Sequence, residues 1–526
     1  MEERADRKLP VGIQSFEKIR KGGYLYVDKT DIIWKLANKE KNYNYLSRPR
    51  RFGKSLLIDT LQAYFEGNKE LFDGLKIMSL EKDWIQHPVI RLDMSRGGST
   101  AENLASYLNI RFGEYEQAYD IKVEPGSKLA DRFDGIIRTA CEKSGQQVVV
   151  LIDEYDSPLQ HSWKTPEHNG CTAIYRDVFA ILKADDEYER FVFITGITKF
   201  TQISLFSVLN NLTNVSFDGP FADLCGISKE EVTENFMPEL EKMAEKNGWT
   251  LEETLIQLKN RYDGYHFSAD NMVDVFNPFS LINALSDAKL KNYWAASGAT
   301  SMLPKFVDDL EIRLKDFENC PVDGDLLETS DVTDGGAELF LYQSGYLTIK
   351  DYLDGIYILG IPNGEVRKAL YNIVVPALTM RTSEQQVIST QNMLLLTLQR
   401  GDLDGAKKAL KSLIADVPYS NKKLASMDME ERYRLILSTI FNAIGFRVHV
   451  EKMIATGRID MVVETKNIIY VMELKLTKNG GLSAAENQII NKQYLAPFMA
   501  DKRSVIGLAI ELDDLGKGLI DWKEIQ

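Results

Sequence analysis

Arg48-Pro49-Arg50-Arg51-Phe52-Gly53-Lys54-Ser55 is the stretch on which the reading of this chain turns. A short apolar run at 43–46 precedes it, and Leu56, Leu57, Leu61, Tyr64 and Phe65 follow at helical spacing. Strand, loop ending in Gly-Lys-Ser, then helix is the context a phosphate-binding loop needs. The loop amides and the helix N-terminus offer donors, Lys54 adds a charge, and the Ser55 hydroxyl is placed to hold Mg²⁺. The usual pattern asks for glycine at position 48, where this chain has Arg48.

Two later strand ends support the loop. Residues 148–152 are Val-Val-Val-Leu-Ile, an unbroken apolar run that suits a strand buried on both faces of a parallel sheet. It ends in Asp153-Glu154-Tyr155-Asp156, where α/β sheets place their ligands. Asp153 is expected to hold Mg²⁺ through water and Glu154 to polarise an attacking water. A third apolar run, 191–194, ends in Thr195-Gly196-Ile197-Thr198-Lys199, whose polar groups are placed to meet a γ-phosphate or that water. Each end alone has a plain reading as a solvated turn; their ordered combination points to a nucleotide site.

The chain has 526 residues, 44% hydrophobic and 27% charged, and is too long for one ordinary core. No apolar run of 18 residues occurs, so no membrane span is expected, and the charged start lacks a signal-peptide pattern. Four scattered cysteines point to a reducing, cytoplasmic setting without structural zinc. The net charge of −14 excludes a globally basic nucleic-acid binder but not a local patch. From Met427 onward 13 Lys/Arg face 14 Asp/Glu, so the acidity lies mainly ahead of that point.

Around the loop, residues 24–27 read as a short strand, with Thr30 or Asp31 capping a helix at 32–37. Val89–Met94 reads as a strand and 101–145 as helical. Ser228-Lys229-Glu230-Glu231 opens a helical stretch that reads as a lid on the nucleotide domain, its aromatics forming a core rather than stacking on bases. A helix ending near Gln343, followed by runs at 346–349 and 356–361 around Asp351-Tyr352-Leu353-Asp354-Gly355, suggests a winged-helix-like hairpin. Asp351, Asp354 and Glu365 in place of a basic stripe favour packing over DNA readout. Residues 386–426 read as amphipathic helix.

The last hundred residues carry a second constellation. A helix at 430–441 is stopped by Gly445; a strand at 447–451 follows; Gly457-Arg458-Ile459-Asp460 leads into another; a third spans 468–476. Strand side chains alternate, so Glu473 and Lys475 share a face. If the Asp460 strand pairs with theirs, Asp460 joins them. Two carboxylates then make an oxygen-rich Mg²⁺ site, and a lysine beside them poises a water for phosphodiester hydrolysis. Glu431 on the preceding helix adds a candidate ligand, and Gln488 on the following one a candidate orienting group. Glu-x-Lys alone suits a surface ion-pair ladder, but Val471, Leu474 and Leu476 argue for a buried strand, where unpaired charges are costly.

With these residues in hand, 9–285 resembles the prokaryotic AAA-ATPase-like family. The resemblance rests on Tyr26-Val27-Asp28-Lys29-Thr30, the Arg48–Ser55 loop in the form usual for that family, Leu151-Ile152-Asp153-Glu154-Tyr155-Asp156, Thr195-Gly196-Ile197-Thr198, Ser204-Leu205-Phe206-Ser207, Tyr262-Asp263-Gly264-Tyr265 and Asn277-Pro278-Phe279-Ser280. Residues 427–512 resemble the PD-(D/E)XK nuclease-like domain often fused to it, with Asp460, Glu473 and Lys475 on its motif. The resemblances imply a multidomain α/β protein: an AAA/ASCE-type parallel-sheet ATPase core at 1–225, a helical lid at 226–300, a winged-helix-like and helical middle region at 301–426, and a nuclease-like domain at 427–526. They imply ATP and Mg²⁺ (or Mn²⁺ at the nuclease site) as cofactors. Arg50, Arg51, Gly53, Lys54, Ser55, Asp153 and Thr198 are expected around the nucleotide. DNA or RNA is the expected partner, with a homo-oligomer or protein partner possible. The alternative is a nucleotide-regulated signalling or oligomerisation switch whose C-terminal domain binds without cutting.

Overall fold

The five parallel strands of the first sheet place all three predicted strand ends along one edge. In this computed structural model, which describes residues 8–199, 212–294, 317, 319–329, 336–379, 384–415 and 428–525, they are β1 (Tyr43–Ser47), β2 (Val89–Asp93), β3 (Val148–Asp153), β4 (Glu189–Gly196) and β5 (Thr213–Asn214), in the order β2-β3-β4-β1-β5. The strand leading into the loop thus lies next to β4 and one strand away from β3. Parallel pairing aligns the C-terminal ends, so Ser47, Gly196 and Asp153 emerge side by side. Every residue of β3 is buried, as its unbroken apolar run requires. The Ser204–Ser207 stretch lies outside the described residues.

Three local expectations change. Residues 24–27 form extended chain with a single bridge from Tyr24 to Lys8, not a strand. The helix after it, Thr30–Ala37, has Lys29 at its N-cap with no side-chain cap bond, so neither Thr30 nor Asp31 is the cap; the Asp28 carboxylate just before it accepts from the Thr30 amide and hydroxyl. The helical stretch at 101–145 is two helices, Ala101–Ala118 and Leu129–Ser144.

The lid is helical as expected. Ser228 and Glu231 close a reciprocal capping box on helix Lys229–Asn235, and Thr250 and Glu253 do the same on Leu251–Tyr262. Between these lies Met237–Asn247, and Pro278–Asp287 follows β6 (Ile227–Ser228) and β7 (Val275–Phe276). Val232, Phe236, Leu240, Met243, Leu258, Tyr262 and Leu281 close its core.

The expected middle region does not hold together as one body. The described residues up to 294, with 319–363, form one compact unit, and those from 364 onward belong to a second. In the first unit the hairpin β9 (Thr348–Leu353) and β10 (Ile356–Gly360) joins β8 (Cys320–Asp323) in a three-stranded sheet. It packs against the lid: the His266 amide donates to Thr348 Oγ1 at 2.7 Å, and Thr348 Oγ1 donates back to the His266 carbonyl at 2.9 Å. The expected packing role fits this. Glu365, assigned to the wing, instead opens the next helix, Gly364–Thr379, and is buried.

The second unit contains helices Gly364–Thr379, Glu384–Arg400 and Leu403–Ala415, then helix Met429–Ala443. A mixed sheet follows, in the order β11 (Arg447–Ile454), β12 (Gly457–Glu464), β13 (Ile468–Leu476), β14 (Ser504–Leu512) and β15 (Leu519–Ile525). Strands β11 to β13 are antiparallel neighbours, and β14 returns parallel to β13 after helix Gly481–Asn491. β13 is thus a central strand, hydrogen-bonded on both edges and buried from Ile468 to Leu474.

Candidate functional site

The loop is left-handed at Arg51 (φ 70°) and Gly53 (φ 91°), and position 48 is not among the positive-φ residues. Glycine at 48 is therefore not needed for the turn. The Arg48 side chain is 1% exposed. Its guanidinium donates to the carbonyls of Ser47 (2.8 Å), Ser216 (2.9 Å) and Phe221 (3.0 Å) and lies 4.2 Å from the Phe267 ring centre. Arg48 is an anchor that ties the loop to the segment after β5, not a charge offered to a nucleotide. Phe52 packs edge-on against Tyr265 and Phe267, and Trp294 Nε1 donates to the Arg50 carbonyl at 3.3 Å. The segment expected as a lid thus touches the loop at both Phe52 and Arg50.

Lys54 begins helix Lys54–Phe65 and is buried. Its ammonium donates to the Arg48 carbonyl at 2.8 Å and the Pro49 carbonyl at 3.0 Å. Burial pushes its pKa down, against the opposing pull of Glu154, Asp153 and Asp156. The Ser55 hydroxyl makes no hydrogen bond among the described residues. Asp153 Oδ1 accepts from Thr195 Oγ1 at 2.6 Å and from the Glu154 amide at 3.0 Å. Its Oδ2 has no partner among the described residues. A buried carboxylate with one oxygen fixed and the other open suits a hydrated Mg²⁺.

Glu154 sits at φ 48°, a left-handed position that costs a non-glycine residue energy and recurs at functional turns. Burial raises its pKa; Lys54 and Arg50 pull the other way without cancelling the rise. Arg50 is thus close enough to act on the site, whereas the exposed Arg51 guanidinium lies 4.6 Å over the Phe279 ring of the lid.

Thr198 differs from its expected role. It is buried, and its hydroxyl and amide both donate to Asp156 Oδ2 at 2.6 Å. The same oxygen accepts from the Ile197 amide and from Gln160 Nε2. Thr198 therefore holds the turn beside the loop and does not present a group to a phosphate. Gly196 is required there, because a Cβ would come within 2.7 Å of the Tyr155 ring.

Beside Gly53 opens a cavity of about 110 Å³ lined by Leu25, Tyr26, Val27, Leu224, Cys225 and Phe236, among others. It is mostly apolar, with Lys29 and Thr60 also in its wall, and adjoins the loop at Phe52 and Gly53. Sequence reading missed it. The signal was present in Tyr26-Val27, but pairing this stretch with 224–227 takes the folded chain.

In the second unit, continuing the β12–β13 register one step beyond Met461↔Met472 sets Asp460 opposite Glu473. Asp460 Oδ2 accepts from the Leu474 amide at 2.9 Å. Lys475 Nζ donates to Glu473 Oε1 at 2.7 Å and to the Leu474 carbonyl at 3.2 Å, and lies 3.9 Å from Asp460 Oδ2. Glu473 is 1% exposed, and its Oε2 is buried with no hydrogen-bond partner. Burial and the neighbouring Asp460 charge push its carboxyl up to about 7. Burial works against the Lys475 ammonium, but Glu473 and Asp460 outweigh it and raise its pKa. An orphaned buried oxygen beside a second carboxylate fits a divalent cation. No group of three or more His, Cys, Asp or Glu side chains arranged to hold a metal occurs among the described residues.

A helix carboxylate on this face is Glu430, the residue before the expected Glu431. Glu430 acts on the Lys475 charge and accepts from Asn479 Nδ2 at 3.4 Å. One turn on from it, Arg434 reaches Asp460 Oδ1 at 3.4 Å. Gln488 acts at one remove: its Nε2 donates to the Tyr494 hydroxyl, which donates to the Arg458 carbonyl two residues before Asp460.

Sheet order, loop and paired carboxylates define a phosphate-loop domain joined to a nuclease-like domain. Residues 10–206 match the family model described as predicted AAA-ATPase, and residues 428–522 match that of the PD-(D/E)XK nuclease superfamily. The chain belongs to the family of predicted AAA-ATPases that carry a C-terminal PD-(D/E)XK nuclease superfamily domain. It is similar to an uncharacterized protein in the vnfD 5' region of Azotobacter chroococcum mcd 1, at 32% identity over 540 residues, covering 96% of this chain and 99% of the relative. No helix among the described residues is long and apolar enough to cross a membrane.

Proposed function

We propose that the protein binds and hydrolyses ATP in its first unit and uses that cycle to control metal-dependent cleavage of nucleic-acid phosphodiesters in its second. The observation that carries the reading is Glu473: a buried carboxylate opposite Asp460, with one oxygen on Lys475 and the other on nothing. A core that served only stability would not keep such a group.

At the ATPase site, the base enters the apolar cavity and the phosphates lie over the loop, held by the amides at the helix start. Lys54 exchanges its two carbonyls for phosphate oxygens. Ser55 and Asp153 would hold Mg²⁺, which supplies charge neutralisation. Glu154, with its raised pKa, takes a proton from the attacking water. Thr195, Thr198, Asp156 and Gln160 keep Asp153 and Glu154 in place.

At the nuclease site, Asp460 and Glu473 would hold Mg²⁺ or Mn²⁺, which supplies Lewis acidity. Lys475 orients the attacking water from the Glu473 side. Cleavage of labelled DNA and RNA with Mg²⁺ or Mn²⁺ should be lost in Asp460→Ala and Lys475→Ala. Binding of radiolabelled ATP should be lost in Lys54→Ala. Cleavage that survives both nuclease-site substitutions refutes the site. Nucleic-acid binding without cutting in the wild type would favour the switch reading instead.

A further inference from the structure

Arg434 stands out because its guanidinium is only partly used. It lies on helix Met429–Ala443, its side chain 12% exposed. One nitrogen, Nη1, donates to Glu451 Oε1 at 2.8 Å and to Asp460 Oδ1 at 3.4 Å. Its Nε and Nη2 make no hydrogen bond among the described residues. Glu451 is itself unusual. The pairs Val450↔Met461 and Lys452↔Ile459 place it opposite Asp460, yet that pair is missing from the ladder and Glu451 sits at φ 53°. A left-handed glutamate inside a strand marks a site where strain is tolerated for a purpose. Its carboxylate also takes Arg458 Nη1 at 3.2 Å.

We propose that Arg434 is the residue that receives the phosphodiester at the C-terminal site, on its open Nε and Nη2 edge, and that Glu451 is the partner that holds Nη1 and competes for the guanidinium charge. This rests on the nuclease reading above and adds the contact that reading lacks. Lys475 is engaged otherwise: two of its three N–H groups go to Glu473 and the Leu474 carbonyl, and the third is left for the attacking water. Arg458 is 55% exposed, where solvent and salt screen its charge. Arg434 is sheltered, touches Asp460 and has two adjacent N–H positions open, the fork that matches two phosphate oxygens. Glu451 on Nη1 fixes the guanidinium so that its other edge is presented.

The test is oligonucleotide binding by the full chain in EDTA, where no cutting occurs, read by fluorescence anisotropy across a salt series. Arg434→Ala should weaken binding about tenfold or more and lower the salt slope by about one. Arg434→Lys should keep the slope but not the full affinity. Glu451→Gln should tighten binding severalfold, and this gain should vanish in the Arg434→Ala background. That last comparison separates an effect acting through Arg434 from a general loss of negative charge. The proposal is overturned if Arg434→Ala, folded by circular dichroism, binds with wild-type affinity and slope. It is equally overturned if Glu451→Gln gains as much without Arg434 as with it. A wild type that neither binds oligonucleotides nor cuts them with Mn²⁺ would sink the nuclease reading as well. A wild type that does both while Arg434→Ala matches its binding sinks only the present inference.

Discussion

Arg48→Gly restores the glycine of the usual phosphate-loop pattern, and from the pattern alone it should repair the loop. The structure predicts damage. Substitution removes a charged donor from the Ser47, Ser216 and Phe221 carbonyls, the last two in buried contacts. A buried carbonyl deprived of its donor costs about 1–3 kcal/mol, so two cost ~2–6. Loss of the Phe267 stack adds ~1 kcal/mol. Two terms offset these: the guanidinium no longer has to be desolvated, and its Nε, buried without a partner, is removed. A net loss of ~3 kcal/mol follows, with roughly 0.5–1 kcal/mol more for glycine through the unfolded chain. For a unit spanning Met1–Met302 and Asn319–Asn363 that lowers Tm by roughly 5 °C. The assay is thermal unfolding of wild type, Arg48→Ala and Arg48→Gly with and without ATP, alongside ATP affinity. A glycine variant that melts within about 1 °C of wild type and binds ATP more tightly refutes the anchor role.

Four further outcomes are expected. Lys54→Ala should abolish the rise in Tm that saturating ATP gives the wild type, measured by differential scanning fluorimetry; an undiminished rise would place the nucleotide elsewhere. Glu154→Gln should keep ATP affinity within a few-fold while lowering hydrolysis by ~10²-fold or more, read by phosphate release. Asp460→Asn and Glu473→Gln should each remove the Mn²⁺-induced rise in Tm, and Glu473→Gln should not destabilise the metal-free protein, since it loses a buried charge. Buried Glu189 accepts from the Tyr43 hydroxyl at 2.5 Å, and burial raises its carboxyl to about 8. Its pKa is higher folded than unfolded, so its contribution is fully present below about 4.5 and is lost as pH rises through about 8. Glu189→Gln should therefore flatten the decline of stability between those values, by ~2 kcal/mol at the upper end, measured by urea titration at several pH values; an unchanged slope would count against the burial argument.

The sequence disclosed the parts whose chemistry is local. Apolar runs ending in Asp153-Glu154 and in Thr195-Gly196 were visible because a doubly buried strand must be apolar throughout. Glu473 and Lys475 fell on one face by the period of the strand alone. What stayed hidden depends on pairing across long stretches. Arg48 looked like a missing glycine because its partners, Ser216, Phe221 and Phe267, lie more than 160 residues away. Thr198 looked like a phosphate contact because nothing local showed that Asp156 would claim its hydroxyl. Glu431 and Glu430 are adjacent, and which one faces Lys475 is set by how the helix is rotated on the sheet. The break at 363/364 was hidden for the same reason: helical and hairpin patterns say what a segment forms, not which core it joins.

Lys54 is held by the carbonyls of its own loop, so the loop is a rival for the charge it exists to offer. An incoming phosphate must outbid two hydrogen bonds already made at 2.8 and 3.0 Å. A weakly charged or singly anchored anion gains little from that trade. A polyphosphate also secured by its base in the apolar cavity gains enough, because its other attachments remain while the lysine changes partners. On the proposed reading the loop would sort its ligands before any catalytic group is engaged, favouring whole nucleotides over the loose phosphate that surrounds them.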